Sequence, residues 1–302
     1  MKRASITGAT GAVGSALIRE LIDHGVEVLV LCREGSRRNA QIPESGLVTR
    51  RFFTLDTLGE LENDTGRDYD VFYHLAWNGT VGADRNDMYL QNRNVTYALD
   101  AVRTAQRFGC RRFIGAGSQA ECGRVEGLLR PDTPAFPENG YGMAKLCAGQ
   151  MTRELAHQLG MEHIWTRILS VYGPNDGAQS MVMSTIRKLL SGETPQFTKG
   201  EQMWDYLYSG DVASAFRLLG ERGRDGKLYV LGSGQARPLA DYIRAIRDAA
   251  APGAEIALGA IPYAPKQVMF LQADITEIRQ DTGWEPTMPF EQGIRETIRS
   301  LR

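Results

Sequence analysis

The sequence predicts an α/β fold in which parallel strands alternate with helices. Three observations support this prediction: a glycine-rich turn lies at residues 7–14, short apolar stretches recur with amphipathic stretches between them, and this regularity ends after Pro174. The strand-like stretches are 4–7, 26–32, 51–55, 71–75, 112–116 and 163–168. Such alternation predicts successive β-α units and therefore a doubly wound parallel sheet, followed by a smaller and less regular C-terminal lobe.

The first predicted strand and helix enclose the glycine-rich turn. The run Thr7-Gly8-Ala9-Thr10-Gly11-Ala12-Val13-Gly14 opens an amphipathic stretch that ends near Gly25. Glycines at three-residue spacing allow a sharp turn, close approach of the backbone to a pyrophosphate, and tight packing of helix on strand. The N-terminus of the helix adds free N–H groups and partial positive charge. We therefore predict a dinucleotide site, although an ordinary turn is the alternative. Its candidate residues are Gly8, Thr10, Gly11, Val13 and Gly14.

Tyr141 and Lys145 are four residues apart, so on a helix they share one face. An ammonium beside a phenol favours the phenolate, and Lys145 is expected to lower the pKa of Tyr141 so that it can act as a general acid or base. Ser118 follows the apolar stretch 112–116 and would supply a hydroxyl at the C-terminal end of a strand. A Tyr-Lys pair alone is most often a solvated surface pair, so this prediction depends on its occurrence with the glycine-rich turn.

Taken in chain order, these motifs resemble the extended short-chain dehydrogenase/reductase family, in the branch of NAD-dependent epimerases and dehydratases that modify nucleotide-linked sugars. The resemblance extends over nearly the whole chain, and its further matches are His74-Leu75-Ala76, Asn94, Tyr172-Gly173-Pro174, residues 204–213 and Gly283-Trp284-Glu285-Pro286. It implies that Ser118, Tyr141 and Lys145 are catalytic and that Leu75, Ala76, Tyr141 and Lys145 contact the cofactor.

The same resemblance implies a substrate site and a domain arrangement. Ser118, Ser170 and Trp204 would contact the substrate, with Ser170 and Trp204 at positions where the family more often has Asn and Arg. A Rossmann-type dinucleotide-binding domain would span 1–173, with part of 205–237 returning to it, and 174–302 would be mainly a substrate-binding lobe. Relatives form homodimers through two helices, predicted here at 87–108 and 141–160, although the apolar stripes of these helices equally suit core packing.

The end of the second strand distinguishes NAD from NADP. An acidic residue there would bind the ribose 2′-hydroxyl of NAD, whereas arginine would suit the 2′-phosphate of NADP. Here Cys32 is followed by a basic loop, residues 33–38, in which Arg33 and Arg37 are candidate ligands. NADP is therefore predicted, with NAD as the alternative and a solvated basic loop as the interpretation without function. Asp56 matches a family aspartate that hydrogen-bonds adenine, but it equally suits a turn cap.

Three reactions remain possible within the family. Its dehydratases carry an Asp-Glu pair directly after the catalytic hydroxyl, whereas this chain has Gln119-Ala120, with Glu121 one residue further. Reduction and epimerisation need only the Ser-Tyr-Lys site and hydride transfer. The basic loop favours a reductase, because a reductase exchanges NADPH at every turnover. We predict reduction of a 4-keto (deoxy)sugar nucleotide; the alternatives are a nucleotide-sugar 4-epimerase with retained NAD and a non-catalytic regulator that senses NADP.

Composition excludes several other classes of protein. A net charge of −1 gives no electrostatic reason to bind nucleic acid or an anionic membrane. No apolar stretch approaches the roughly 20 residues of a spanning helix, and the N-terminus enters a strand without a signal-peptide core, so we predict a cytoplasmic protein. The four cysteines have no paired spacing, which favours reduced thiols over a metal site or a disulfide framework.

Overall fold

The computed structural model describes residues 1–301, which form eleven strands and eight helices. The strands are β1 (Arg3–Thr7), β2 (Glu27–Cys32), β3 (Val48–Phe52), β4 (Val71–His74), β5 (Arg112–Ser118), β6 (Glu162–Ile168), β7 (Ser170–Tyr172), β8 (Met203–Trp204), β9 (Tyr206–Tyr208), β10 (Leu228–Leu231) and β11 (Arg237–Pro238). The helices are α1 (Ala12–Asp23), α2 (Met88–Arg107), α3 (Gly140–Gln158), α4 (Met181–Leu190), α5 (Ser209–Arg222), α6 (Leu239–Ala250), α7 (Thr276–Thr282) and α8 (Phe290–Arg299). Short 3₁₀ turns lie at Arg37–Gln41, Leu55–Glu60, Gly82–Asn86 and Gln119–Glu121.

Seven strands form one parallel sheet in the order β10-β6-β5-β4-β1-β2-β3. The predicted doubly wound Rossmann-type sheet is therefore confirmed. The direction of winding reverses between β1 and β4, and in such sheets the crevice at the C-terminal ends of these strands is the usual place for a ligand. This crevice lies beside the glycine-rich turn, which directly follows β1.

The strands are apolar because both faces of the sheet are covered. Successive residues point to opposite faces, and β2 shows this directly: Val28 and Val30 pack with α1 and α5, whereas Leu29 and Leu31 pack with α2. These contacts hold α1, α2 and α5 against the two faces of the sheet. None of the helices within residues 1–301 combines the length and apolar character that crossing a bilayer requires.

The last third of the chain contributes to two different cores. Helix α5 packs on α1, and β10 extends the sheet beside β6. Helices α4, α6 and α8 instead bury a separate cluster that contains Tyr172, Tyr242 and Phe290. The division into domains at 173/174 stays a prediction.

The predicted third strand at 51–55 is wrong by about three residues. β3 spans Val48–Phe52 at the edge of the sheet, and its residues are exposed or half-buried, so apolar character does not mark it. Phe53 and Leu55 follow the strand and pack under the next turn, against the core around Phe72. These apolar side chains belong to the turn and not to the strand. Because the prediction followed apolar residues, it placed the strand about three residues too late in the chain.

Candidate active site

Two of the three glycines of the turn are required by the packing of the protein itself. Gly8 has φ +74°, and a Cβ there would lie 2.6 Å from the backbone nitrogen of Ala76. A Cβ on Gly14 would lie 2.2 Å from the carbonyl oxygen of Gly8. At Gly11 the nearest atom would be 3.7 Å away. Gly11 is also the N-cap of α1 and makes no side-chain cap, so the turn leaves an open face beside a helix N-terminus.

A cleft of about 340 Å³ opens at this point, and we name it the glycine-turn cleft. Its lining residues are Gly8, Ala9, Thr10, Leu31, Cys32, Arg33, Ser36, Asn39, Phe53, Thr54, Leu55, Asp56, Ala76, Trp77 and Asn78. Five of the predicted cofactor residues are among them. The remaining predictions near the turn lie just outside the lining: Gly11 and Val13 at the start of α1, Gly14 against Gly8, Leu75 behind Gly8, and Arg37 in an exposed position.

The basic loop after β2 is tied to the glycine-rich turn. Arg38 Nη2 donates to the carbonyl oxygen of Thr10 at 2.7 Å, and Asn39 Nδ2 donates to that of Arg33 at 2.8 Å. Arg33 and Asn39 line the cleft, whereas Arg37 does not. Sequence reasoning missed Asn39, because only the folded loop turns it towards the cleft.

Asp56 carries the only carboxylate among the described residues that line the cleft. The hydroxyl of Tyr97 donates to it. Asp56 does not cap the following turn, because that cap comes from a reciprocal hydrogen-bond pair between Thr54 and Thr57. Its place in the cleft matches the cofactor-binding prediction better than the turn-cap alternative.

The predicted Ser-Tyr-Lys residues come together beside this cleft. Ser118 is the last residue of β5, and Tyr141 and Lys145 lie in the first two turns of α3. Asn139 caps that helix by accepting from the backbone N–H of Gly142 at 2.8 Å. Lys145 is buried, and its Nζ donates to the carbonyl oxygen of Ala116 at 2.5 Å. The end of one strand and the start of one helix thus position all three side chains.

The electrostatics of Tyr141 differ from the sequence-based expectation. Burial raises the pKa of Tyr141, while a hydrogen bond with Ser118 and the positive charge of Arg85 oppose that rise. The predicted lowering by Lys145 is wrong, because its ammonium lies 5.8 Å from the ring centroid of Tyr141 and is directed at Ala116. Burial lowers the pKa of Lys145 to about 7, and the carboxylate of Glu121 opposes this change.

Lys145 lies against the indole of Trp77 and close to His74. Its Nζ lies 3.7 Å from the ring centroid of Trp77, which lines the glycine-turn cleft. His74, at the end of β4, contacts Thr7 through Nδ1 at 3.0 Å, and burial lowers the pKa of His74 to about 3. At neutral pH His74 is therefore uncharged, and its contact with Thr7 joins the ends of β4 and β1.

Glu121 is buried immediately behind Ser118. Its carboxylate accepts from the backbone N–H of Ser118 at 2.8 Å and from Trp165 Nε1 at 3.0 Å, and it forms an ion pair with Arg167 at 3.1 Å. These contacts engage both carboxylate oxygens. Glu121 therefore holds the end of β5 in place, and it does not stand as a free acid or base beside Ser118.

Ser170 and Trp204, two of the three residues predicted to contact the substrate, contact each other. Trp204 Nε1 donates to Ser170 Oγ at 2.9 Å, which joins β8 to β7. Trp204 is half-buried and packs against the core of the sheet and against that of helices α4, α6 and α8.

A second cleft, of about 750 Å³, lies between residues 122–138 and 267–270, and we name it the distal cleft. It is lined by Cys122, Arg124, Val125, Glu126, Gly127, Phe136, Glu138, Gln267, Val268, Met269 and Phe270. Arg124 and Glu138, both in the segment 122–138, form a two-pronged ion pair in its wall, at 2.8 and 2.7 Å. Neither Ser170 nor Trp204 belongs to this lining.

Comparison with known proteins shows the family to which this chain belongs. The sequence profile of the NAD dependent epimerase/dehydratase family matches residues 4–232. The chain belongs to this family, a family of nucleotide-sugar-modifying enzymes, which confirms the resemblance found in the sequence motifs. Among curated proteins it is similar to dTDP-glucose 4,6-dehydratase from Xanthomonas campestris pv. campestris, strain ATCC 33913. The two are 27% identical over 330 residues, which cover 97% of this chain and 91% of the relative.

Solved structures share the fold at lower identity. UDP-N-acetylglucosamine 4-epimerase from Methanobrevibacter ruminantium M1 superposes with a TM-score of 0.88 at 20% identity, covering 99% of this chain and 98% of the other. UDP-glucuronic acid 4-epimerase from Bacillus cereus, solved in complex with NAD, gives 0.85 at 18% identity, with the same coverage. UDP-glucose 4-epimerase from Thermotoga maritima gives 0.87 at 21% identity, again with the same coverage.

Proposed function

We propose that this protein is an NADPH-dependent reductase of a 4-keto (deoxy)sugar nucleotide. The observation that carries the proposal is the end of β2. There Cys32 and Arg33 occupy the place where a carboxylate would bind the 2′-hydroxyl of NAD, and Arg33, Ser36 and Asn39 face the glycine-turn cleft. These donors suit the 2′-phosphate of NADPH. A reductase exchanges NADPH at each turnover, so this cofactor preference favours reduction.

The residues present fit a dinucleotide. The open face at Gly11 and the uncapped N-terminus of α1 suit the pyrophosphate, and Arg33 suits the 2′-phosphate. NADPH held there would supply the hydride. The cofactor contacts of Leu75, Ala76 and Asp56, and the binding of the nicotinamide ribose by Lys145, remain part of this proposal.

Tyr141 would deliver the proton of the reaction. As the carbonyl carbon accepts the hydride, the phenolic O–H bond breaks and its proton passes to the developing alkoxide, which Ser118 stabilises by hydrogen bonding. The phenolate of Tyr141 would regain a proton from solvent before the next turnover. The C-terminal lobe would bind the nucleotide, with Ser170 and Trp204 shaping that site.

A 4-epimerase with retained NAD is the second candidate. It is favoured by the fold shared with several 4-epimerases, including the Bacillus cereus enzyme in complex with NAD. The dehydratase activity of the curated relative is less well supported. Gln119 and Ala120 carry no acid or base, and Glu121 is engaged by Arg167 and Trp165. A regulator without catalysis would not need the assembled Ser-Tyr-Lys site.

One assay separates the reductase from the epimerase. Purified protein is mixed with NADPH and a panel of 4-keto and 4-hydroxy nucleotide sugars, and the absorbance of the reduced cofactor is followed together with the sugar products. Reduction predicts one NADPH consumed for each 4-hydroxy product. Interconversion of C4 epimers at constant absorbance would instead establish the epimerase, and cofactor binding without any product would favour the regulator.

We also propose that the protein forms a homodimer through α2 and α3. Met143, Cys147 and Met151 follow one another at four-residue spacing on α3, and all three are exposed in the single chain. An apolar helix face of this kind suits a second copy of the chain. Light scattering should give twice the mass of the chain, and Met143→Glu should shift the mass to that of a monomer.

A further inference from the structure

The cation closest to the catalytic tyrosine ring is Arg85, a residue that the sequence motifs do not mark. The guanidinium carbon of Arg85 lies 4.3 Å from the ring centroid of Tyr141, over its face. Nζ of Lys145 is 5.8 Å from the same centroid. Trp77 meets the ring edge-to-face, with centroids 6.2 Å apart and planes at 84°. The phenol is therefore enclosed by one arginine and one indole.

Arg85 Nη1 donates to the carbonyl oxygen of Thr80 at 2.9 Å, and hydrogen bonds to two helices hold the turn that carries Arg85. It belongs to the 3₁₀ turn Gly82–Asn86, which precedes α2. Gln91, a buried residue of α2, donates to the carbonyl oxygen of Asp84 at 2.9 Å. Asn86 Oδ1 accepts from the backbone N–H of Gly140 at 3.0 Å, at the start of the helix that carries Tyr141. Hydrogen bonds between side chains and the backbone thus anchor the turn to α2 and to the start of the helix that carries Tyr141.

We propose that Arg85 is a positioning residue that stabilises the phenolate form of Tyr141 by lying over its ring. The proposal rests on the proposed function, in which the phenolic proton passes to the substrate oxygen and leaves a phenolate. A cation over an aromatic face is attracted by the ring, and the attraction grows when the ring system becomes negatively charged. Arginine suits this role because it keeps its own proton at every working pH.

The other charged groups around Tyr141 do not replace Arg85. Glu121, behind Ser118, acts in the opposite direction on the pKa of Tyr141, and its ion pair with Arg167 reduces that effect. Lys145, on the same helix as Tyr141, is directed at a carbonyl oxygen and has a lowered pKa. His74, which lies close enough for Lys145 to lower its pKa, is neutral. Arg85 is therefore the permanent positive charge that acts on the phenol.

The test follows the titration of Tyr141 directly. The protein is labelled with ¹³C at the tyrosine Cζ, and the Tyr141 signal is identified by its loss in Tyr141→Phe. Arg85→Gln should raise the pKa of Tyr141 by about one pH unit, because an opposite charge close to the group is removed. Arg85→Lys should retain most of the effect. Arg187→Gln, which removes an exposed charge on α4, should leave the titration unchanged.

Identical titration of Tyr141 in the wild type and in Arg85→Gln would overturn the proposal. Far-ultraviolet circular dichroism establishes that each variant is folded, and Arg85→Lys provides a test that keeps the side chain's length and charge. The titration needs no turnover, so it remains informative if the reductase assay fails. A raised pKa in Arg85→Gln together with an inactive wild type would support Arg85 and reject the proposed reaction.

Discussion

The glycine-turn cleft and the distal cleft are built in different ways. The first is formed by short segments at the C-terminal ends of adjacent parallel strands, so its residues follow β1, β2, β3 and β4 in turn. The second joins 122–138 to 267–270, two segments far apart in the chain and outside the central sheet. Sheet topology positions the first cleft, whereas contacts across the chain position the second. A sequence motif can therefore specify the first cleft and says much less about the second.

The largest expected effect comes from a change beside the glycine-turn cleft, next to Trp77 of its lining. Tyr141→Phe removes the proton donor while keeping the ring, so turnover should fall by about a hundred- to ten-thousand-fold. Cofactor affinity should stay close to that of the wild type, because the glycine-turn cleft is not altered. Stopped-flow reduction and fluorescence titration with NADPH measure the two quantities. Near-normal turnover would show that Tyr141 is not the donor.

The candidate catalytic residues show how far the sequence alone could predict the site. Ser118, Tyr141 and Lys145 were expected to meet because a strand end and a helical i, i+4 pair are local features, and the structure brings them together. No local sequence feature marked Arg85 as part of the site. Its contact with Tyr141 depends on how the turn before α2 docks against the start of α3, which no spacing within either segment encodes.

The sign of an electrostatic effect was equally hard to predict. The spacing places Lys145 on the same helix face as Tyr141. It does not reveal that the ammonium of Lys145 donates a hydrogen bond to the carbonyl oxygen of Ala116. The substrate side shows a related limit. Sequence reasoning placed Ser170 and Trp204 at ligand-contact positions, whereas their mutual hydrogen bond depends on the pairing of β7 with β9 and on the position of β8.

The second-largest expected effect is on stability, and it depends on pH because the ammonium of Lys145 is buried. The pKa of Lys145 is lowered to about 7, so burial disfavours its charged form. Between about pH 7 and the unfolded-state value near 10, the unfolded chain binds more protons, and the stability of the wild type should rise with pH. Lys145→Met should therefore be more stable at pH 7, by on the order of a few kcal/mol, with an advantage that shrinks towards pH 10. Urea denaturation at several pH values measures this, and a constant difference would contradict the lowered pKa.

A matched pair of glycine variants separates packing from ligand binding in the first cleft. Gly14→Ala places a Cβ 2.2 Å from the carbonyl oxygen of Gly8, so it should cost about 1–3 kcal/mol of stability. In Gly11→Ala the nearest atom is 3.7 Å away. This variant should keep the stability of the wild type and lose affinity for the dinucleotide. Thermal denaturation and cofactor titration of both variants give the answer, and equal losses of stability would remove the distinction.

The choice between cofactors gives a smaller effect. Arg33→Asp replaces a cationic donor at the glycine-turn cleft with a carboxylate, which should weaken NADPH binding by about ten-fold or more and improve the binding of NADH. Arg37→Asp is the control, because Arg37 lies outside the cleft lining yet carries the same charge in the same loop. Unchanged preference in Arg33→Asp would identify the loop as a solvated basic segment and would strengthen the epimerase interpretation.

The smallest effect tests whether Trp204 acts through its hydrogen bond or through its ring. Trp204→Phe keeps an aromatic side chain but removes the donor to Ser170 Oγ, so it should lower stability by about 1 kcal/mol. Ser170→Ala removes the same hydrogen bond from the other side, and the double variant should cost no more than the larger single change if the bond is the shared cause. Denaturation measures the three stabilities, and the KM for the nucleotide sugar measures substrate binding. If KM rises in Trp204→Phe but not in Ser170→Ala, the indole itself contacts the substrate. If the KM of both variants equals that of the wild type, the pair serves only to join β7 and β8.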